Sequence, residues 1–250
     1  MPAEKQKQFH IVKRGIIMAA GKGERMRPLT LETPKPLIRV NGVRMIDSVI
    51  SALHQNGIFE ICVVVGYLKE QFYKWAENQP GVTIIENPLY DQCNNISSLY
   101  VARDHLQDAI ILDGDQIIYN PTILDPHFGL SGYNAVWTDE PTDEWVMEVK
   151  NGVVTSCSRT GGSHGWQLYS ISRWSKEDGI RLKRHVEEQF ESGNTDIYWD
   201  DVVMFCYPEQ YTLGIREMKA SDIIEIDNLK ELAMIDKSYE EIAKNAEVQK

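Results

Sequence analysis

A glycine-rich loop with several basic residues follows the first apolar stretch of the chain. Residues 16–20 predict a buried strand, and Gly21-Lys22-Gly23 follows directly. Glycine lets backbone N–H groups approach a phosphate, and Lys22, Arg25 and Arg27 can add charge to the same anion. The stretch predicts a polyphosphate site at the carboxyl end of the first strand. A plain turn is the alternative, because the loop lacks the endings of the dinucleotide and P-loop motifs.

Two acidic clusters offer the residue types that hold a divalent metal. Asp113-Gly114-Asp115 follows a predicted strand, and Glu225-Ile226-Asp227 precedes the last predicted helix. Buried carboxylates are costly unless they are paired or metal-bound, and Mg²⁺ combines one or two of them with substrate phosphates. A polar turn at the first cluster and a helix cap at the second are the alternatives. A shared metal site requires a fold that brings the clusters together.

Two further features suit a nucleotide. Proline on both sides of Lys35 stiffens the loop around it, although a loop lysine is usually solvated. Asn94 and Asn95 present donors and acceptors that suit a pyrimidine edge. Asn95 or Ser97 can equally cap the next predicted helix, and the two roles do not exclude each other.

Aromatic residues stand among carboxylates at two places in the second half of the chain. These are Asp143-Glu144-Trp145 and Tyr198-Trp199-Asp200-Asp201. Aromatic faces attract a quaternary ammonium, which has no N–H to donate, and carboxylates add long-range attraction. The clusters therefore predict a site for an organic cation, with packing at an interface or along an amphipathic helix as the alternative.

The order of elements predicts an α/β fold with a Rossmann-like, doubly wound mixed sheet. The first half alternates strands and helices, and short alternating runs after residue 133 predict a small antiparallel region. Strands are predicted at residues 16–20, 61–65, 82–85, 109–112, 134–138, 144–149, 153–156, 167–171, 211–216 and 223–226. Helices are predicted at residues 45–56, 68–76, 96–106, 175–191, 196–205 and from 228 onward.

The same pattern predicts how the chain is organised. Residues 1–14 are polar and predict a flexible N-terminal extension, and residues 15–250 predict a single domain without a linker. Within it we expect a nucleotide-binding half (15–120), an acceptor-binding half (121–227) and a closing helix (228–250).

Composition narrows the class of protein. The net charge of −11 argues against nucleic-acid binding, and no apolar run is long enough for membrane insertion. The N-terminus has no apolar core and does not predict a secretory signal. Four cysteines without Cys-x-x-Cys spacing favour reduced thiols in a cytoplasm.

One continuous signature carries a family resemblance. The residues Ala19-Ala20-Gly21-x-Gly23-x-Arg25-Met26-x-Pro28-Leu29-Thr30, closed by Pro34-Lys35-Pro36-Leu37, closely resemble the signature of nucleotidyltransferases that activate sugar phosphates and related alcohol phosphates. The resemblance implies that Lys35 contacts a nucleoside triphosphate and that Arg25 holds the leaving pyrophosphate. It implies Mg²⁺ ligands at Asp115 and Asp227. The nucleotide-binding residues that it implies are Ala19, Ala20, Gly21, Lys22, Gly23, Asn94, Asn95, Ser97 and Asp113.

A narrower resemblance extends from Gly15 to about Leu232. Residues 66–72, Asn94-Asn95, Glu144-Trp145, Tyr198-Trp199-Asp200 and Glu225-Ile226-Asp227 are similar to the bacterial phosphocholine cytidylyltransferases, which have a sister group that acts on 2-aminoethylphosphonate. Residues 158–166 match no family motif.

The narrower resemblance implies that CTP and phosphocholine give CDP-choline and pyrophosphate with Mg²⁺. The acceptor would bind at Glu144, Trp145, Tyr198, Trp199 and Asp200. Three alternatives stay open: 2-aminoethylphosphonate as acceptor, a sugar 1-phosphate as acceptor, or an inactive regulatory module of the same fold. Whether the chain is a monomer or a homodimer also stays open.

Overall fold

The computed structural model describes residues 9–248 of the chain. The strands are β1 (His10–Ile11), β2 (Arg14–Ala19), β3 (Arg39–Val40), β4 (Val43–Arg44), β5 (Glu60–Val65), β6 (Val82–Glu86), β7 (Ala109–Asp113), β8 (Gln116–Ile118), β9 (His127–Phe128), β10 (Gly132–Thr138), β11 (Val146–Lys150), β12 (Val153–Ser158), β13 (Gly165–Trp174), β14 (Gly214–Glu217) and β15 (Ile223–Glu225). The α-helices are α1 (Met45–Gln55), α2 (Lys69–Ala76), α3 (Ile96–Val101), α4 (Lys176–Glu191), α5 (Trp199–Asp201), α6 (Leu229–Ile235) and α7 (Glu240–Val248). No helix in this range is long and apolar enough to cross a membrane.

A mixed sheet of nine strands has the order β10-β14-β12-β11-β13-β7-β2-β5-β6. Strands β7, β2, β5 and β6 are parallel, and the chain runs from β2 to β5 and β6 before it returns to β7 on the other side of β2. Such a reversal places a crevice at the carboxyl ends of the strands. The order confirms the predicted α/β, Rossmann-like mixed sheet.

Burial on both faces explains the continuous apolar sequence of the central strands. Ile17 in β2 packs into the cluster that includes residues of α1 and α2, and Ile16 packs into the cluster that includes residues of α3 and α4. Both side chains are 0% exposed. A strand covered on both faces needs no alternation of apolar and polar residues.

The strands of the second half pair in a closed circuit. β10 pairs with β13, β13 with β11, β11 with β12, β12 with β14 and β14 with β10. All these pairs are antiparallel except β10 with β14. β13 also pairs with β7, so the circuit is joined to the parallel sheet. The four strands predicted between residues 134 and 171 are confirmed.

The fold begins before residue 15, which corrects the predicted extension. β1 pairs with β9, and Val12 is 4% exposed, with its backbone N–H donating to the carbonyl of Pro126 at 2.9 Å. β2 begins at Arg14. Residues 10–14 therefore belong to the domain, and residues 1–8 lie outside the described residues.

Three helices have other bounds in the structure than the sequence predicted. The closing helix is two helices, because α6 ends at Ile235 and the Asp236 carboxylate then accepts from the Ser238 N–H at 3.0 Å and starts a new turn. The helix predicted at residues 196–205 begins at Trp199 and continues as a π-helical turn at Val202–Cys206. The helix predicted at residues 96–106 ends at Val101, and a 3₁₀ turn follows.

Candidate active site

The loop after β2 folds back over Lys35. Gly23 has φ +60°, and a Cβ there would lie 3.0 Å from Cβ of Lys35. The Thr30 hydroxyl donates to the Gly23 carbonyl at 2.9 Å and fixes this turn. Gly21 is exposed, and a Cβ there would meet nothing within 4 Å. The loop therefore has a packed side toward Lys35 and an open side at Gly21, as a ligand cradle requires.

Lys35 joins the two acidic clusters. Its side chain is 9% exposed, and Nζ lies 2.6 Å from Oδ2 of Asp115 and 3.0 Å from Oδ1 of Asp227. Burial alone would lower the pKa of Lys35, but Asp115 and Asp227 outweigh it and raise the pKa to about 12. A guanidinium nitrogen of Arg25 lies 2.8 Å from the same oxygen of Asp227. The fold thus brings together four residues that were predicted to share one site.

Asp113, Asp115 and Glu225 form a group that can hold a divalent metal. One carboxylate oxygen of each lies within 4.8 Å of the others. Burial raises the pKa of Glu225 to about 8, with Asp115 and Asp227 adding to the effect, and burial followed by Asp115 raises that of Asp113 well above its usual value. Oδ1 of Asp115 is buried and has no hydrogen-bond partner among the residues that the structure describes. Such oxygens suit a hard cation, which favours their ionised form.

Glu225 belongs to the second predicted acidic cluster but was not itself assigned as a ligand, and Asp227, which was, lies outside this group of three. Glu225 stands opposite Gln116 in the antiparallel pair of β15 and β8, so the pairing directs it toward the cluster. One sequence signal was available, because Glu225 and Asp227 are two positions apart and a strand puts such positions on one face. Asp227 instead pairs with Lys35 and Arg25.

The segment of residues 94–97 both shapes the backbone and borders open space. Ser97 is 1% exposed, and its hydroxyl accepts from Asn87 at 2.9 Å and donates to the Asn94 carbonyl at 2.9 Å, so it shapes the segment. Oδ1 of Asn95 accepts from the Trp199 backbone N–H at 2.8 Å and ties the two halves of the chain together. Asn94 lines a small cleft with Lys22 and other polar residues. Of the three predicted residues, Asn94 and Asn95 border open space.

A larger cavity of about 910 Å³ extends from the acidic cluster to the aromatic residues. Its walls include Asp113, Glu225, Asn95, Trp145, Tyr198 and Asp200. The predicted acceptor residues therefore share one cavity with the predicted metal site. An elongated acceptor can reach both ends of it at once.

Trp145, Tyr198 and Trp199 all line this cavity, but most of the Trp199 side chain packs into the core. The rings of Trp145 and Tyr198 are 6.0 Å apart at 87°, and Phe205 lies 5.5 Å from Trp145. Trp199 is 4% exposed and packs on Tyr133 and Trp174 at 6.1 and 6.0 Å. Adjacent residues point to different sides of the chain, which explains the separation. Phe205, which was not predicted, packs against Trp145 and is not among the residues that line the cavity.

Asp200 adds a buried carboxylate to the cavity wall. Burial raises the pKa of Asp200 to about 7 against the opposing effect of the neighbouring Tyr133 hydroxyl, and no lysine or arginine of the described residues forms an ion pair with it. Glu144 is exposed at the same cavity, and burial of part of its side chain raises its pKa, with Asp227 adding to the effect. The aromatic end of the cavity is therefore acidic and lacks a cation at Asp200, as a site for a positively charged group requires.

Comparisons with known proteins agree with this geometry. Residues 15–148 match the model of the MobA-like NTP transferase domain. The chain is 40% identical over 227 residues to 2-aminoethylphosphonate cytidylyltransferase of Lancefieldella rimae, which covers 90% of this chain and 92% of that protein. It is 30% identical to choline-phosphate cytidylyltransferase of Streptococcus pneumoniae over 233 residues. This match covers 93% of this chain and 99% of that protein.

A solved structure extends the likeness to three dimensions. The CTP:phosphocholine cytidylyltransferase of Streptococcus pneumoniae matches with a TM-score of 0.83 at 30% identity, over 91% of this chain and 99% of that one. The matching family model covers more than half of the chain, and both relatives match over nearly all of it. The chain therefore belongs to the family of MobA-like NTP transferases, and within it to the cytidylyltransferases.

Proposed function

We propose that this cytidylyltransferase transfers CMP from CTP to 2-aminoethylphosphonate and releases pyrophosphate. The observation that carries the proposal is the buried carboxylate of Asp200 at the wall of the acceptor cavity, which no lysine or arginine of the described residues neutralises. A primary ammonium carries three N–H donors and can pair with that carboxylate. A trimethylammonium has no N–H and cannot donate a hydrogen bond to it. The 40% identical relative, which is named for 2-aminoethylphosphonate, supports the same acceptor.

Phosphocholine is the second candidate. The rings of Trp145, Tyr198 and Phe205 lie close together, and aromatic faces attract a quaternary ammonium. The relative from Streptococcus pneumoniae is named for this acceptor. Its case is weaker because Trp199 is 4% exposed and its ring adds almost no open face to them.

We place the triphosphate of CTP along the loop after β2. Ala19 ends β2 and Ala20 follows it, and the open side of Gly21 leaves room for phosphate oxygens. Lys35 and Arg25 converge from two sides and would carry the charge of the β- and γ-phosphates as pyrophosphate leaves. Asn94 and Lys22 border the small cleft that we assign to the nucleoside.

Transfer then depends on position and charge. An oxygen of the acceptor phosphonate forms a bond to the α-phosphorus, and the bond from that phosphorus to the bridging oxygen breaks. The phosphonate is already ionised, so no general base is needed, and the residues act by alignment. We assign Asp113, Asp115 and Glu225 to hold Mg²⁺, which supplies charge neutralisation at the phosphates when bound. Asp227 holds Lys35 and Arg25 in place.

Turnover of CTP with three acceptors tests the proposal. We expect the kcat/KM for 2-aminoethylphosphonate to exceed those for phosphocholine and glucose 1-phosphate by at least tenfold, measured as pyrophosphate release. Asp200→Asn should raise the KM for 2-aminoethylphosphonate and leave the KM for CTP unchanged. Asp104→Asn is the matched control, because Asp104 pairs with Lys183 on the surface. Equal or faster turnover of phosphocholine by the wild type contradicts the assignment of the acceptor.

A further inference from the structure

Residues 158–166 join β12 to β13 through a turn, and this turn is hydrogen-bonded to Thr142 in the segment before β11. The Gly162 N–H donates to the Thr142 carbonyl at 3.0 Å, and the Thr142 N–H donates back to the Gly162 carbonyl at 2.9 Å. Gly161 has φ +82°, and a Cβ there would lie 1.9 Å from the Thr142 carbonyl, so only glycine permits this approach. The turn is therefore held against the segment that carries Trp145.

The turn places Arg159 on the aromatic cluster. Its guanidinium carbon lies 4.0 Å from the centre of the Phe205 ring and 5.9 Å from that of Trp145. A guanidinium nitrogen lies 2.6 Å from Oδ1 of Asp201, whose side chain is 4% exposed. Arg159 also lines the acceptor cavity. Arg159 and Trp145 both line the cavity, so a cation of the protein itself already lies against the aromatic cluster that would attract a quaternary ammonium.

We propose that Arg159 selects the acceptor by excluding a quaternary ammonium from Trp145 and Phe205. The proposal rests on 2-aminoethylphosphonate as the acceptor. A trimethylammonium group can reach these rings only if the Arg159 side chain moves away. Such a movement would leave the buried Asp201 carboxylate without its cation. A primary ammonium has no such conflict, because it pairs with Asp200 and leaves Arg159 in place.

Steady-state kinetics of Arg159→Met tests the inference, because methionine keeps an apolar stem of similar length but carries no charge. We expect the kcat/KM for phosphocholine to rise at least tenfold, mainly through KM, because an attraction between an ammonium and aromatic faces becomes available. The kcat/KM for 2-aminoethylphosphonate should change less than threefold. Arg159→Lys keeps the charge and should keep phosphocholine a poor acceptor.

Arg103→Met is the matched control. Arg103 lies 4.1 Å from the Tyr100 ring and pairs with Glu187 at 2.9 Å, but it does not line the cavity. Its loss should leave the ratio of the two kcat/KM values unchanged. Calorimetric titration of each variant with phosphocholine gives the affinity directly.

The outcomes separate this inference from the proposed acceptor. If the wild type prefers 2-aminoethylphosphonate and Arg159→Met leaves the ratio and the phosphocholine affinity unchanged, the selecting role of Arg159 is wrong and the acceptor stands. If the wild type already prefers phosphocholine, the acceptor and the inference are both wrong. Should Arg159→Met not fold, Arg159→Gln removes the charge and keeps a polar side chain, and the same shift toward phosphocholine is expected.

Discussion

Nζ of Lys35 lies 3.0 Å from Oδ1 of Asp227, 192 positions further along the chain. The same ammonium lies 2.6 Å from Oδ2 of Asp115. Lys35 comes from the loop after β2, Asp115 follows β7 and Asp227 follows β15, so one buried cation joins three parts of the crevice. Two carboxylates thereby fix the direction of the lysine that we assign to the triphosphate.

Lys35→Met should abolish catalysis and weaken the fold. Loss of one preorganised charge at a developing anion lowers kcat by a factor of about 10²–10³. The change also leaves Asp115 and Asp227 without their shared cation, so the free energy of unfolding should fall by about 3 kcal/mol. Pyrophosphate release and urea unfolding measure the two effects.

Lys13→Met is the control for this prediction. Lys13 lies 2.6 Å from Asp108, the same distance as in the Lys35–Asp115 pair, but its side chain is 65% exposed. Its loss should cost less than about 1 kcal/mol and leave kcat unchanged. Wild-type turnover in Lys35→Met would contradict its assignment to the triphosphate.

Local sequence was sufficient to predict the glycine-rich loop after β2, but it was insufficient to predict which carboxylates form the metal-binding group. Gly21, Gly23 and Lys35 lie in one stretch, and glycine and lysine are residue types that directly indicate phosphate binding. Glu225 reaches the cluster only through the pairing of β15 with β8, which no local pattern determines. Trp199 lines the cavity, but most of its side chain packs between Tyr133 and Trp174, and this depends on backbone geometry that composition does not report.

Glu225→Gln should weaken metal binding more than Asp227→Asn does. Glu225 belongs to the group whose oxygens lie within 4.8 Å of one another, whereas Asp227 pairs with Lys35 and Arg25. We expect at least a tenfold weaker affinity for Mn²⁺ in Glu225→Gln and in Asp115→Asn, measured by electron paramagnetic resonance. Both Asp115→Asn and Asp227→Asn should abolish turnover.

The exposed Glu217 supplies the control, since it ends β14 outside the group. Glu217→Gln should bind Mn²⁺ as the wild type does. If Glu225→Gln binds Mn²⁺ as the wild type does and Asp227→Asn does not bind it, Asp227 rather than Glu225 is the second metal ligand.

Asp200 should make the protein without acceptor less stable as the pH rises. Burial raises the pKa of Asp200 to about 7, above the value of about 4 in an unfolded chain. The folded state therefore holds a proton that the unfolded state releases, and the stabilising effect is complete below pH 4 and is lost as the pH rises through 7. The melting temperature should fall between pH 5 and pH 8, and it should fall less in Asp200→Asn.

Adding 2-aminoethylphosphonate at pH 8 extends this test. The ammonium pairs with ionised Asp200, so the acceptor should raise the melting temperature of the wild type more than that of Asp200→Asn. An identical pH profile in the two proteins contradicts a raised pKa at this position.

Trp145→Ala and Trp199→Ala should have opposite effects on binding and stability. Trp145 contributes to the cavity wall, so its loss should raise the KM for the acceptor with little change in the free energy of unfolding. Trp199 is 4% exposed between Tyr133 and Trp174, so its loss leaves a void in the core and should cost about 3–5 kcal/mol. Urea unfolding and acceptor kinetics separate the two tryptophans, and equal losses of stability would contradict this division.

Gly66→Ala should raise the KM for CTP without changing the KM for the acceptor. A Cβ at Gly66 would lie 2.5 Å from the Tyr90 ring, closer than packed atoms allow, so the ring must move. Tyr90 borders the small cleft with Asn94 and Lys22, whose ammonium lies 6.0 Å from the ring centre. A shift of the ring alters the proposed nucleoside site, and we expect the KM to rise about tenfold, which corresponds to about 1.4 kcal/mol.

Gly129→Ala is the control for Gly66→Ala, because a Cβ at Gly129 would meet nothing within 4 Å. It should leave both KM values unchanged. The acceptor cavity is lined by residues other than Gly66 and Tyr90, so a selective effect on CTP locates the nucleoside at Tyr90 rather than in that cavity. A rise in the acceptor KM alone would instead place the acceptor beside Tyr90 and reverse the assignment of the two sites.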